Sequence, residues 1–198
     1  MELNTSDRPG SISQFDASSP RRLLRPSVFY LIVVIVFLAD QISKTWVQRV
    51  MIPDADSRPI IGRAFLLTLT HNTGGAWGLL PQGNVVFIVF ALLAVVALLF
   101  AYHWMRRVDL LVGAAFALAL GGALGNLLDR LRYGFVVDFF EARVIHWPIF
   151  NIADSAITAG ILLLLLHFFR TAREETQSAH RGTAGALATD DAVSTPRE

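Results

Sequence analysis

Residues 121–140 read GGALGNLLDRLRYGFVVDFF, and residues 150–155 return to an apolar stretch through FNIADS. Asn126, Asp129, Arg130, Asp138, Asn151 and Asp154 crowd around the ends of two segments otherwise apolar enough to span a bilayer. A carboxylate at the centre of a spanning helix costs roughly 2.5–3.5 kcal/mol on insertion scales, so such residues are rare unless function retains them. The stretch therefore reads as a functional site.

The composition around it is that of a membrane protein. Of 198 residues, 54% are hydrophobic and only 17% charged, and the mean hydropathy is +0.50. A net charge of +1 provides no basic field to draw in nucleic acid or a strongly acidic partner. The absence of Cys excludes disulfides, thiolate metal sites and a Cys nucleophile. His71, His103, His146, His167 and His180 show neither H-E-x-x-H nor a paired ligand spacing, so no zinc site is expected. Ser155 has no neighbouring His and G-x-S-x-G is missing, which argues against a serine hydrolase.

Outward from the site, residues 1–26 are polar, rich in Ser and Pro, and carry Arg8, Arg21, Arg22 and Arg25, as a disordered cytoplasmic tail would. The apolar run at 28–39 is not followed by a small-x-small cleavage site and continues past Asp40 and Gln41 to Trp46 and Val47. It reads as an uncleaved helix over about 27–47, since about 20 residues are needed to cross the hydrocarbon core. Asp40 within it is either half of a helix-surface pair with Lys44 at i+4 or an inward-facing functional carboxylate. Residues 51–58 are charged and contain Pro, as an exposed turn does. In FLLTLTHN, Leu67, Leu69 and His71 alternate with Thr68, Thr70 and Asn72, which predicts a strand ending at Thr73-Gly74-Gly75. A small sheet at the membrane surface is expected, with Trp77, Leu79 and Leu80 resting in the interface; Asn72 is a turn residue or a ligand contact.

Three more spans, about 85–104, 110–130 and 150–169, bring the number of helices to four. Trp46, Trp77, Trp104 and Trp147, with Tyr30, Tyr102 and Tyr133, fall at the predicted boundaries, where an aromatic belt would place them. Residues 171–198 lack an apolar period and are expected to be a second disordered cytoplasmic tail. Basic residues set the N-terminal tail, the Arg106-Arg107 connection and the Arg170–Arg173 end on the cytoplasmic side. Whatever the sign, four spans bring Asp40, the sheet, Asp129, Asp138 and Asp154 to one face of the membrane.

Gly122, Asn126, Asp129 and Arg130 share one face of the third helix, and Gly121 with Gly125 at small-xxx-small spacing allows a neighbouring helix to approach it closely. The glycines serve packing, and Asp129 with Arg130 or Arg132 is open to reading as an interfacial ion pair. Arg132 and Arg143 read as lipid-headgroup contacts. Asp138 and Asp154 differ from these, having apolar surroundings and no cation at helical spacing. Two carboxylates in a partly desolvated site do not both ionise easily, so they would share a proton, one acting as general base toward a water and the other as general acid. That is the chemistry of aspartic peptide hydrolysis. The alternative for Asp154 is a helix-start residue favoured by the macrodipole.

D-Q-x-S-K (Asp40, Gln41, Lys44), H-N-T-G-G-A-W-G (Asn72 to Gly78), G-G-A-L-G-N-L-L-D-R with G-F-V-V-D-F, and F-N-I-A-D-S together closely resemble bacterial lipoprotein signal peptidase, or signal peptidase II, over residues 28–169. The resemblance implies a four-helix integral membrane aspartic peptidase of the bacterial cytoplasmic membrane, with a small β-cradle (about 58–82 here) and the active site on the extracytoplasmic side. Such an enzyme removes signal peptides from prolipoproteins, cutting before the diacylglyceryl-modified cysteine, and needs no metal or organic cofactor. By motif, the catalytic pair is Asp138 and Asp154, and Asp40, Asn72, Asn126, Asp129, Arg130 and Asn151 bind substrate or support the pair. The partners expected are the lipid-modified prolipoprotein and membrane lipids, with no nucleic acid, and a monomer is expected. Both tails are longer and more polar than the family core, and the segment between Asp138 and Asn151 is short. The alternative from another class is a proton-coupled transporter or channel subunit, with Asp40, Asp129, Asp138 and Asp154 as a relay.

Overall fold

The structure is a computed structural model that describes residues 23–73, 84–105 and 108–193. Expectations for residues 1–22, for Gly74, Gly75, Trp77, Leu79 and Leu80, for Arg106 and Arg107 and for residues 194–198 lie outside the described residues. Four helices are long and apolar enough to cross a membrane: α1 (Pro26–Val50), α2 (Asn84–Trp104), α3 (Leu110–Tyr133) and α4 (Ile152–Val193), the last over Ile152–Gln177. Between them lie β1 (Ser57–Ile61), β2 (Phe65–Asn72) and β3 (Val136–Ala142), which form one antiparallel sheet in the order β1-β2-β3.

The helix α3 is the axis of the bundle. It touches α1, α2 and α4, and 61% of its spanning window is buried, against 22%, 6% and 17% for the other three. Small residues make this possible, because without a hydrophobic drive in lipid, helices associate by close backbone approach. A methyl group on Gly121 would meet Val36 and the Val33 carbonyl of α1, and one on Gly122 would meet the Ala153 carbonyl of α4. One end of the bundle is wholly apolar inside, with Phe29, Val33, Tyr102, Val112, Ala117 and Leu120 in contact. There the Leu24 N–H donates to the Val108 carbonyl and His167 of α4 approaches Asp109 at 3.7 Å. The start of α1, the α2–α3 connection and the far part of α4 therefore share this end.

The opposite end carries the sheet. A second apolar cluster of Val47, Met51, Leu69, Val137 and Phe139 seats β2 and β3 on the end of α1. Gly134, left-handed at φ 79°, ends α3 by donating to the Arg130 carbonyl and turns the chain into β3. The alternation predicted β2, whereas the VVDFF strand was read only as an apolar setting for Asp138. A short apolar run looks the same in a buried strand and in a helix, and β3 is indeed buried on both faces from Val136 to Phe139.

Two further expectations are corrected. The fourth helix runs on to Val193, although residues 171–198 were expected to be irregular. Residues 171–193 contain no Pro and six Ala, and Gly182 and Gly185 weaken without ending a helix already nucleated by the preceding span. Tyr102 is not a belt residue but is buried, with its ring stacked on Phe29 at 3.6 Å, while Tyr30, Tyr133, Trp46, Trp104 and Trp147 are exposed at helix or loop ends.

The contact of Gly122 with α4 is testable. Gly122→Ala should lower the thermal stability of the detergent-solubilised protein by about 1–3 kcal/mol, the usual cost of overpacking, because the added methyl meets a backbone carbonyl rather than a movable side chain. Unaltered melting would show that α3 and α4 are not held this closely.

Candidate active site

The polar side chains meet where α1, α3 and α4 face the sheet. The β2–β3 register puts Thr70 opposite Asp138, so Asn72 is its diagonal neighbour on the same face and its Nδ2 donates to Asp138 Oδ2 at 2.8 Å. The other oxygen, Oδ1, accepts from Asn151 Nδ2 at 2.7 Å. Asn151 is the residue before α4 and closes a reciprocal cap with Asp154. Its Oδ1 accepts from the Asp154 N–H at 2.9 Å while its own N–H donates to Asp154 Oδ2 at 3.2 Å. The helix-start role weighed for Asp154 is thus present in the geometry, yet it occupies only one oxygen. Asp154 Oδ1 accepts from Asn126 Nδ2 at 2.7 Å. A 3.0 Å bond from Asn151 Nδ2 to Asn126 Oδ1 joins the two amides, so the two carboxylates hang from one pair of asparagines.

Asp138 and Asp154 line a common cavity of about 350 Å³ with Asn72, Asn126, Arg130 and Phe87. A larger apolar groove of about 510 Å³, running along α4 past Ser155, Ala159 and Leu162, shares Trp147, Phe150, Asp154 and Thr158 with it. Arg130 holds its guanidinium 5.0 Å from the centre of the Phe87 ring, bridging α3 to α2. Burial pushes the Asp138 carboxyl from the ordinary 3.8 up to about 7, and the neighbouring Asp154 charge adds to the push.

Behind the cavity, Asp40, Lys44, Asn126 and Asp129 are all buried. The Lys44 ammonium lies 2.8 Å from Asp40 Oδ2, 2.9 Å from Asp129 Oδ2 and 2.9 Å from Asn126 Oδ1. Both readings of Asp40 therefore hold together: it pairs with Lys44 at i+4, and it faces inward, where its Oδ1 accepts the Ala153 N–H at 2.9 Å. Asp129 does not pair with Arg130 or Arg132. Adjacent helix residues point about 100° apart, and Asp129 turns to Lys44, the Val137 N–H at 3.1 Å and Gln41 Nε2 at 3.1 Å. Arg143 is not left to headgroups either, since it binds Glu141 at 2.7 Å and Ser57 at 3.1 Å on the sheet.

All eight sequence-derived site residues thus converge, but Lys44 and Gln41 were passed over as site residues. The signal for Lys44 is an ammonium four residues from Asp40 inside an apolar span, a spacing that fits a surface pair as well. Among the described residues no group of three His, Asp or Glu is arranged to hold a metal ion. The transporter reading needs a polar path across the bundle, and the apolar cluster around Phe29, Tyr102 and Leu120 closes it at the other end.

A model of the Signal peptidase (SPase) II family matches residues 32–170. The chain belongs to the signal peptidase II family. The lipoprotein signal peptidase of Moorella thermoacetica is 42% identical over 147 residues, covering 74% of this chain and 96% of the relative. That of Syntrophomonas wolfei is 44% identical over 147 residues, covering 74% and 94%. A bacterial membrane enzyme solved by the in meso method at 2.3 Å resolution superposes with a TM-score of 0.71 at 30% identity, over 77% of this chain and 93% of that one. The signal peptidase II match, residues 32–170, takes in every residue of the cavity and of the Lys44 cluster named above. It leaves out the extension of α4 from 171 to Val193.

The raised Asp138 carboxyl makes a stability prediction with a definite sign. A carboxyl that holds its proton more tightly when folded resists the ionisation it undergoes freely when unfolded. The resulting penalty is absent below about 3.8, grows as pH rises and is complete above about 7. Asp138→Asn removes it, so the melting difference between Asp138→Asn and the parent should move in favour of the variant between about pH 4 and 7 and then level off. The upper bound is roughly 4 kcal/mol at about 1.4 kcal/mol per pH unit. Altered hydrogen bonding to Asn72 and Asn151 adds an offset independent of pH, so the slope is the readout; a flat difference would mean that Asp138 ionises normally.

Proposed function

We propose that the chain is a membrane aspartic endopeptidase that removes the signal peptide from diacylglyceryl-modified prolipoproteins, cutting before the lipidated cysteine, with Asp138 and Asp154 as its catalytic pair. Membership of the signal peptidase II family supports the activity. The observation that carries the assignment of residues is the shared mounting of the two carboxylates: one from β3 and one from α4, held by Asn126 and Asn151 and opening on one cavity.

With Asp138 raised to about 7 beside Asp154, the pair holds one proton near neutrality. Its titration belongs to both residues together. The ionised member takes a proton from a water, whose oxygen attacks the scissile carbonyl carbon, while the protonated member gives its proton to the carbonyl oxygen. In the resulting diol, one hydroxyl returns a proton to the second aspartate as the carbonyl re-forms, and the first aspartate passes its proton to the leaving nitrogen as the C–N bond breaks. The pair ends as it began. Each aspartate oxygen accepts one protein hydrogen bond, which leaves a lone pair on each for this traffic. Arg130, positioned by Phe87, supplies donors in the cavity for a substrate carbonyl, and Asn72 orients Asp138.

The polar cavity and the apolar groove that shares four lining residues with it suit a substrate with a helix and two acyl chains, with the scissile bond at the level of the helix ends, where water reaches it. We place the enzyme in the bacterial cytoplasmic membrane as a monomer in contact with membrane lipids, with the sheet and the active site on the extracytoplasmic side and no cofactor.

Purified protein in detergent should shorten a prolipoprotein only when it carries diacylglycerol. Asp138→Asn and Asp154→Asn should each reduce turnover to background, and the double variant should be hardly worse, since residues acting as a unit are non-additive. Cleavage of unlipidated substrate would refute the specificity, and substantial turnover by either well-folded single variant would refute the pair. Reporter fusions after Arg107 and after Arg173 should report cytoplasm and one at Asp56 the opposite side; agreement between the fusions at 56 and 107 would remove α2 as a span.

A further inference from the structure

The Lys44 ammonium is the one buried cation of the cluster, and it does not border the cavity that holds the two catalytic candidates. An ammonium has three hydrogens, and each finds a different acceptor: Asp40 on α1, and Asn126 and Asp129 one turn apart on α3. Each acceptor is then bonded onward to the machinery. Asp40 takes the Ala153 N–H, one of the orphan donors in the first turn of α4, immediately before Asp154. Asp129 takes the Val137 N–H, immediately before Asp138. Asn126 donates to Asp154 itself. Gln41 cross-braces the assembly by donating to both Asp40 and Asp129.

We propose that Lys44 is a positioning residue for the aspartate pair: by gathering Asp40, Asn126 and Asp129 on one ammonium it locks the start of α4 to the start of β3 and so fixes the separation of Asp154 and Asp138. The proposal rests on the reading of those two residues as catalytic. Lys44 touches neither of them, so its effect is geometric and, at longer range, electrostatic. The charged groups that interact with it are Asp40 on its own helix, Asp129 on α3, Asp138 on β3 and Asp154 on α4. Its charge opposes the upward push on the Asp138 carboxyl, so it also limits how far the pair resists ionisation.

Two substitutions separate the two effects. Lys44→Met removes both the charge and the three donors. Lys44→Arg keeps the charge, but a planar fork cannot present three hydrogens from one atom to three converging acceptors. Turnover of lipidated prolipoprotein is measured per folded enzyme, with kcat and KM separated and kcat followed against pH. Both variants should lose kcat by at least about tenfold, approaching the roughly hundredfold that a misplacement of about 1 Å costs, with KM little changed because acyl and signal-helix burial is untouched. The kcat profile should move to higher pH in Lys44→Met and stay in place in Lys44→Arg.

A merely structural lysine would lower the melting temperature and leave kcat per folded enzyme and the pH profile as in the parent; that result overturns the proposal. Should Lys44→Met fail to fold, Lys44→Arg decides on the same kcat criterion, together with Asp40→Asn, which keeps an acceptor for the Ala153 N–H and weakens the arm that receives Lys44 and Gln41. Asp138→Asn is run alongside. If it cleaves normally the catalytic pair is wrong, whereas a dead Asp138→Asn beside fully active Lys44 variants sinks the Lys44 proposal alone.

Discussion

Two carboxylates, Asp40 of α1 and Asp129 of α3, are buried inside this bundle, and the contact that makes their presence tolerable is the shared ammonium of Lys44. A buried charge without a partner costs several kcal/mol, and removing one member of a buried pair typically costs about 3–5 kcal/mol because the other is left uncompensated. Here one cation faces two anions, and the excess negative charge is spread over backbone N–H groups of α4 and β3 and over Gln41. Those N–H groups needed acceptors in any case, since a helix start and a strand buried on both faces leave donors that water cannot reach. The polar cluster therefore solves the solvation of two element termini at the same time as it satisfies its own members.

That solution depends on distances which only small residues allow. Gly125 lies against the Asp40 carboxylate and Gly122 against the Ala153 carbonyl, so α1 and α4 both reach the face of α3 that carries Asn126 and Asp129. A side chain at Gly125 would stand against the Asp40 carboxylate, and one at Gly122 would push back the turn of α4 that presents the Ala153 N–H. Close packing and polar satisfaction are thus one constraint, and α3 is central because it carries Gly121, Gly122 and Gly125 beside Asn126 and Asp129.

Much of this was legible because the bilayer makes polar residues conspicuous. Asn126, Asp138, Asn151 and Asp154 stand out against apolar runs, and the parity of four spans alone brings them to one end. What was not legible depended on partners chosen across the fold. Lys44 at i+4 from Asp40 is as consistent with a surface pair as with a buried hub, and only the packing of α3 decides between them. Asp129 has Arg130 beside it in sequence, but neighbours on a helix point apart, so its cation comes from α1. The strand β3 escaped because VVDFF has no period to distinguish strand from helix, although Gly134 marked where α3 must stop. The length of α4 beyond the membrane was hidden for the opposite reason, since helix propensity without an apolar face leaves no pattern to read.

The position of the site follows from the needs of hydrolysis in a bilayer. Water must reach the scissile bond, yet the proposed carboxylate pair must be buried enough to raise a carboxyl above its ordinary range, as burial raises that of Asp138. Helix ends meet both demands, because they lie at the depth where water becomes available and their unpaired N–H groups can hold a carboxylate in place. In this chain the start of α4 and the strand entered at the end of α3 each bring one member of the proposed pair, and the reciprocal cap between Asn151 and Asp154 stiffens the first of them. The apolar half of the bundle, where Phe29 stacks on Tyr102, fills the other end, so the polar cluster lies at the end that carries the sheet.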